Sequence, residues 1–121
     1  MYAVMDAPTG KRAYREAQLL RTALEAFHHA TGLQMVVEVE EVTDNAGRQA
    51  DALLRLDAPG VDRQFIVKVK TRLTQAILGM AVHQVQRFPQ QGLIVTDYVK
   101  PKMAERLKAM DMPFLDVAGT A

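Results

Sequence analysis

The chain has 121 residues, of which 49% are hydrophobic and 24% charged, and this size and composition are typical of one ordinary globular domain. Its net charge of +1 gives no overall field that would attract nucleic acid or a membrane, so any anion site must be a local patch. The absence of cysteine excludes disulfides, and the absence of a long apolar run or signal-like segment predicts a cytoplasmic protein with no membrane partner.

An amphipathic helix is predicted over residues 11–30, where apolar side chains recur every three or four positions. Its stripe comprises Ala13, Ala17, Leu20, Leu24 and Phe27. Gly32 suits the end of this helix, because glycine tolerates the left-handed backbone conformation. A β-rich run over residues 34–40 predicts the first strand.

Alternating apolar residues over 50–56 and 65–70 predict an antiparallel hairpin. A turn centred near Gly60-Val61 gives a register in which the apolar faces agree at every pair. The predicted pairs are Leu56 with Phe65, Leu54 with Val67, and Ala52 with Val69. In this register Asp51 lies opposite Lys70. A slip of two residues keeps the same faces together, so that alternative stays open.

The second half of the chain alternates helix and strand. We predict a helix over residues 73–87, a strand at 93–95, a helix from Pro101 and a strand at 114–117. Compact strand–helix–strand units of this kind form parallel crossovers. The expected fold is therefore α/β, with the order α-β-β-β-α-β-α-β and a mixed sheet of about five strands flanked by helices. We expect residues 1–121 to form one domain.

The hairpin carries the most specific chemical pattern in the chain. An acid on one strand facing an acid-x-lysine tripeptide on the next is the metal site of many nucleases, because two carboxylates hold Mg²⁺ and the lysine stabilises phosphate charge. Here the acid is Asp51 and the tripeptide is Lys68-Val69-Lys70. The spacing is present, but a lysine stands in place of the second acid.

Five segments together resemble a known family. They are ADALL (50–54), FIVKVK (65–70), GLIVT (92–96), AERL (104–107) and FLDVAG (114–119). Over residues 10–121 the chain is similar to the restriction-endonuclease-like, PD-(D/E)XK, N-terminal region of AbiEi-type antitoxins and related transcriptional regulators. The resemblance implies a nuclease-like core in which Asp51 matches the first acid and Lys70 the motif lysine. It also implies that this domain is the N-terminal part of a longer protein.

Three functions follow as hypotheses. The first is a non-catalytic domain that binds DNA or a protein partner in a regulatory or toxin–antitoxin-like context, with Asp51 orienting Lys70. Its predicted phosphate contacts are Lys68, Lys70, Arg72, Arg87, Lys100 and Lys102. The second is a Mg²⁺-dependent phosphodiesterase in which Asp51 is a metal ligand. Its second acid would come from Glu16, Glu25, Glu38 or Glu40.

The third hypothesis is a homo-oligomeric dimerisation domain. Two plainer interpretations also stand: Asp51 and Lys70 form only a cross-strand ion pair, and the lysines are only a solvated face. No cofactor is expected unless the phosphodiesterase hypothesis holds. The aromatic residues are few and scattered along the sequence, which argues against a base-stacking surface.

Overall fold

The computed structural model describes residues 10–118, with side chains described from residue 14 onward. Its elements follow the predicted order, and each predicted helix and strand is present within a few residues of its expected bounds. They are α1 (Gly10–Thr31), β1 (Gln34–Thr43), β2 (Gln49–Ala58), β3 (Val61–Lys70), α2 (Gln75–Gln86), β4 (Gln91–Thr96), α3 (Pro101–Ala109) and β5 (Phe114–Leu115). No helix in this range is long and apolar enough to cross a membrane.

One mixed sheet carries all five strands, in the spatial order β1-β2-β3-β4-β5. The first three strands form an antiparallel meander, and β3, β4 and β5 run parallel to one another. This confirms the predicted hairpin and parallel crossovers. We call the edge at which β3, β4 and β5 end, at Lys70, Thr96 and Leu115, the carboxyl edge. Because β2 is antiparallel to β3, the start of β2 with Asp51 also lies at this edge.

Helices cover both faces of the sheet. On one face α2 and α3 pack against Ile66 and Ile94, chiefly through Leu78, Val85 and Leu107. On the other face α1 packs against the alternate residues of the strands, among them Val67 and Val95, through side chains that include Ala23 and Leu24. β3 is therefore apolar on both sides over its middle, as expected of a strand buried between two helical layers.

The predicted hairpin register is wrong by two residues. Ala52 pairs with Val67 and Leu54 with Phe65, and the turn is Pro59-Gly60, between the paired residues Ala58 and Val61. Gly60 has a φ of 74°, which a proline-glycine turn of type II requires at its second central residue. Alternation alone could not detect the error, because a shift of two residues leaves each side chain on the same face.

The predicted apolar stripe of α1 is confirmed at its large residues, Leu20, Leu24 and Phe27, and is wrong at Ala17. Ala17 is exposed, whereas Ala23 is fully buried among the half-buried Leu20, Leu24 and Phe27. The predicted Ala13 lies outside the described side chains. The larger side chains decide which face of the helix meets the sheet, since an alanine contributes little apolar area.

Candidate nucleic-acid interface

Two lysines stand side by side where β3 reaches the carboxyl edge. Lys68 and Lys70 alternate with the buried Val67 and Val69, and so share the face of β3 on which Ile66 packs against α2. Both lysines are half-buried. Residues two apart on a strand lie about 7 Å apart, so their ammonium groups can contact one anion together or two neighbouring phosphates.

Further cations follow at the same edge. Arg72 lies two residues after the end of β3, in the loop before α2, and is exposed. Lys100 and Lys102 lie at the start of α3, which follows β4, and β4 is aligned with β3 through the pairing of Lys70 with Thr96. Neither α2 nor α3 has an acidic residue in its first turn, so no carboxylate there compensates the positive end of the helix dipole.

None of these five cations forms an ion pair within the part of the chain that the structure describes. The ion pairs found there join Arg48 to Asp44, and Arg55 to both Glu38 and Asp57. All of them lie in the β1–β3 meander and its loops. The cations of the carboxyl edge are therefore free to bind an external anion.

The structure does not bring Arg87 to this group. Arg87 caps the carboxyl end of α2, and α2 runs from the carboxyl edge back towards the start of β4. A 12-residue helix is about 18 Å long, so Arg87 lies at the opposite edge of the sheet. Lys108, in the last turn of α3, lies at that opposite edge for the same reason.

Asp51 is hydrogen-bonded to the backbone of the neighbouring strand. Its Oδ2 accepts from the backbone N–H of Val69 at 2.7 Å. The carboxylate is thus level with the Lys68–Val69 peptide, and not opposite Lys70 as the predicted register had it. No ammonium lies within ion-pair distance of Asp51 among the described residues, so the predicted cross-strand ion pair with Lys70 is absent.

Of the four candidate second acids, Glu40 lies beside Asp51 in the sheet, because it pairs with Ala52 on β2. Glu38 accepts hydrogen bonds from Arg55 at 3.2 Å and Gln64 at 2.8 Å, towards the other end of the hairpin. Glu25 and Glu40 are exposed, and Glu16 makes an interaction of its own. Among the described residues, no three acids or histidines are close enough together to share a metal ion.

A buried aspartate that sequence reasoning overlooked holds the loop before α3. Asp116 is fully buried, and its two carboxylate oxygens accept from the backbone N–H groups of Val99 at 3.2 Å and Ala118 at 3.1 Å. Because Val99 immediately precedes Lys100, this contact fixes the start of α3. Asp116 therefore positions part of the cationic edge without facing a ligand itself.

A pocket of about 340 Å³ lies between the amino-terminal half of α1 and the ends of β3 and β4. Its polar and aromatic lining comprises Tyr14, Arg15, Gln18, Thr22, Thr71 and Asp97. Sequence reasoning missed it, because its residues come from three distant segments and form no local motif. Tyr14, which lines the pocket, is strongly exposed.

Comparison of the chain with protein-family models, with curated proteins and with solved structures finds no match. The function is therefore inferred from the residues and geometry of the carboxyl edge.

Proposed function

We propose that this chain is a restriction-endonuclease-like domain without a metal site, which binds the phosphate backbone of nucleic acid through its carboxyl edge. One observation carries the proposal: Lys68 and Lys70 lie side by side, half-buried, and neither forms an ion pair with a carboxylate of the described residues. Adjacent cations without partners repel one another, and a bound phosphate removes that repulsion. The proposed setting is a regulatory or defence protein of the antitoxin type.

The element order supports a nuclease-like core. The antiparallel meander is followed by parallel strands, and the site residues occupy the start of β2 and the end of β3. In nucleases this arrangement gathers two carboxylates and a lysine around Mg²⁺ at the substrate phosphate. Under this proposal Lys68 and Lys70, with Arg72 beyond them, contact the phosphate that a nuclease would bind there.

Two features favour binding over cleavage. Oδ2 of Asp51 accepts a hydrogen bond from the backbone N–H of Val69, so this carboxylate stabilises the pairing of β2 with β3. Lys68 stands where the second metal ligand is expected, and an ammonium so close to a divalent cation would repel it. The phosphodiesterase alternative would require both an acid from elsewhere and the release of Asp51 from Val69.

The proposal is tested by the salt dependence of binding to a labelled DNA duplex, measured by fluorescence anisotropy. We expect the double variant K68A/K70A to bind more weakly than the wild type. We also expect the slope of log K against log salt to become shallower by about 0.9 for each phosphate that the variant no longer neutralises. The matched control is R87A/K108A, which removes the same charge from the opposite edge.

R87A/K108A should bind as the wild type does, because neither residue lies at the carboxyl edge. An unchanged affinity and slope in K68A/K70A would contradict the proposal. Equal losses in both double variants would also contradict it, since they would indicate a response to net charge alone. Capture of a protein partner with no DNA binding would support the alternative that this edge contacts protein.

A further inference from the structure

We call Lys68, Lys70 and Arg72 the cationic strip. The pocket beside α1 lies next to this strip, but on the other face of the sheet. Thr71, which lines it, is the residue between Lys70 and Arg72. Asp97 lines it from the end of β4, the strand paired with β3 at Lys70 and Thr96. A nucleotide whose phosphate contacts the cationic strip therefore has this pocket within reach of its base.

Two charged groups of the pocket keep hydrogen-bonding capacity that the described residues do not use. Oδ1 of Asp97 accepts from the backbone N–H of Tyr98 at 2.6 Å and lies 3.5 Å from the hydroxyl of Thr96. Oδ2 of Asp97 has no hydrogen-bond partner among the described residues. The guanidinium of Arg15 is exposed and likewise forms no ion pair there. The pocket thus offers one free anionic acceptor and one free cationic donor.

A ligand that hydrogen-bonds to both Arg15 and Asp97 needs acceptors on one edge and N–H donors on another. Guanine has this pattern: O6 and N7 accept hydrogen bonds, and the N1–H and N2 amino groups donate them. Arginine is the commonest partner of guanine O6 and N7, and a carboxylate can accept from the donor edge. The exposed ring of Tyr14 supplies a surface on which an unpaired base can stack.

We infer that this pocket binds an unstacked guanine of a single strand, with Arg15 contacting O6 and N7 and Asp97 contacting N1–H and N2. The inference rests on the proposed function, since it assumes that the strand's phosphates lie along Lys68, Lys70 and Arg72. The pocket is a shallow depression of about 340 Å³ that is open to solvent, so a flat base can lie against its wall.

The first test is an NMR titration of the whole chain with dGMP, dAMP, dCMP and thymidine monophosphate in turn. All four carry the same phosphate, so differences between them report on the base alone. We expect dGMP to shift the backbone amides of Thr22, Thr71 and Asp97 at lower concentration than the other three. Equal shifts from all four nucleotides, or none at these amides, would overturn the inference.

The second test compares binding of guanine-rich and guanine-free single strands by the wild type, D97N and R15Q. D97N keeps an acceptor for Tyr98 but loses the negative charge, so folding should be retained. Each variant should lower the preference for guanine by roughly 5- to 150-fold, the range of a good base contact. The control R106Q, on α3 away from the pocket, should keep the preference; an unchanged preference in both pocket variants would overturn the inference.

The two proposals can fail separately. If dGMP shifts the pocket amides while K68A/K70A leaves DNA binding unchanged, guanine binding in the pocket is supported and phosphate binding at the carboxyl edge is contradicted. If nucleotides perturb only Lys68, Lys70 and their neighbours, regardless of the base, the phosphate-binding edge stands and the guanine pocket fails.

Discussion

The carboxylate of Asp51 accepts a 2.7 Å hydrogen bond from the backbone N–H of Val69, so the side chain of one strand completes the hydrogen bonding of the next. The backbone register between β2 and β3 is regular as far as the pair Ala52–Val67, and Asp51 is the next residue outward on β2. Val69 is almost fully buried, so water would be a poor substitute for this contact. Asp51 therefore has a structural role in the sheet.

Removal of the Asp51 carboxylate should destabilise the fold. In Asp51→Ala the Val69 N–H is left without an acceptor, at a cost of about 1–3 kcal/mol in the free energy of unfolding. Asp51→Asn keeps an oxygen acceptor and should lose less. Urea denaturation measures both, with the exposed Glu105→Ala on α3 as the control. Wild-type stability in Asp51→Ala would show that this hydrogen bond contributes nothing.

Lys100 and Lys102 should contribute to nucleic-acid binding, whereas Arg87 should not. The start of α3 lies at the carboxyl edge, and the end of α2 lies at the opposite edge. We expect K100A/K102A to weaken duplex binding and make its salt dependence shallower, and R87A to match the wild type in the same anisotropy assay. A larger loss in R87A than in K100A/K102A would place the interface on the other edge of the sheet.

Gly92 is required by the packing of α2 on β4. A Cβ at this position would lie 2.6 Å from Cγ2 and 3.0 Å from Cβ of Val85, so Gly92→Ala should cost about 1–3 kcal/mol in the free energy of unfolding. The double variant with Val85→Ala should lose less than the sum of the two single changes, because the second substitution removes the clash.

Gly79 provides a matched control for that substitution. It lies inside α2, and a methyl group added there would meet no atom within 4 Å, so Gly79→Ala should stabilise the chain by about 0.5–1 kcal/mol through helix propensity. Thermal or urea unfolding distinguishes the two. A stabilising Gly92→Ala would contradict the packing of Val85 against β4.

The loop between β1 and β2 should make stability depend on pH. Partial burial acts to raise the pKa of Asp44, but hydrogen bonds from the Arg48 side chain and from the backbone N–H groups of Arg48 and Ala46, with the Arg48 charge, outweigh it, so the pKa lies below its ordinary value. A lowered pKa stabilises the fold above the unfolded-state pKa of about 3.9, and that stabilisation is lost as the pH falls through the folded-state pKa.

The difference in melting temperature between the wild type and Asp44→Asn should therefore be largest near neutral pH and should shrink as the pH falls below about 4. Asp111→Asn, which removes an exposed carboxylate with no side-chain hydrogen bond among the described residues, serves as the control. A difference that stays constant from neutral to acidic pH would mean that the Asp44 charge does not stabilise this loop.

The sequence was sufficient to predict the element order, the hairpin and the parallel crossovers, because each rests on local periodicity and turn residues. It could not determine the hairpin register, since a two-residue shift preserves every apolar face. That error moved Asp51 from its place beside the Lys68–Val69 peptide to a position opposite Lys70. No local sequence pattern could have predicted the pocket, because Arg15, Thr71 and Asp97 come together only in the folded chain.

Binding of nucleic acid by the carboxyl edge should need no metal ion, and DNA binding and plasmid nicking should be compared in EDTA and in Mg²⁺ or Mn²⁺ at matched ionic strength. We predict binding that persists in EDTA, is weakened by K68A/K70A and is retained in Asp51→Asn, with no nicking under any condition. Binding or nicking that appears only with the divalent ion and disappears in Asp51→Asn would contradict the proposed function and restore a metal site at Asp51.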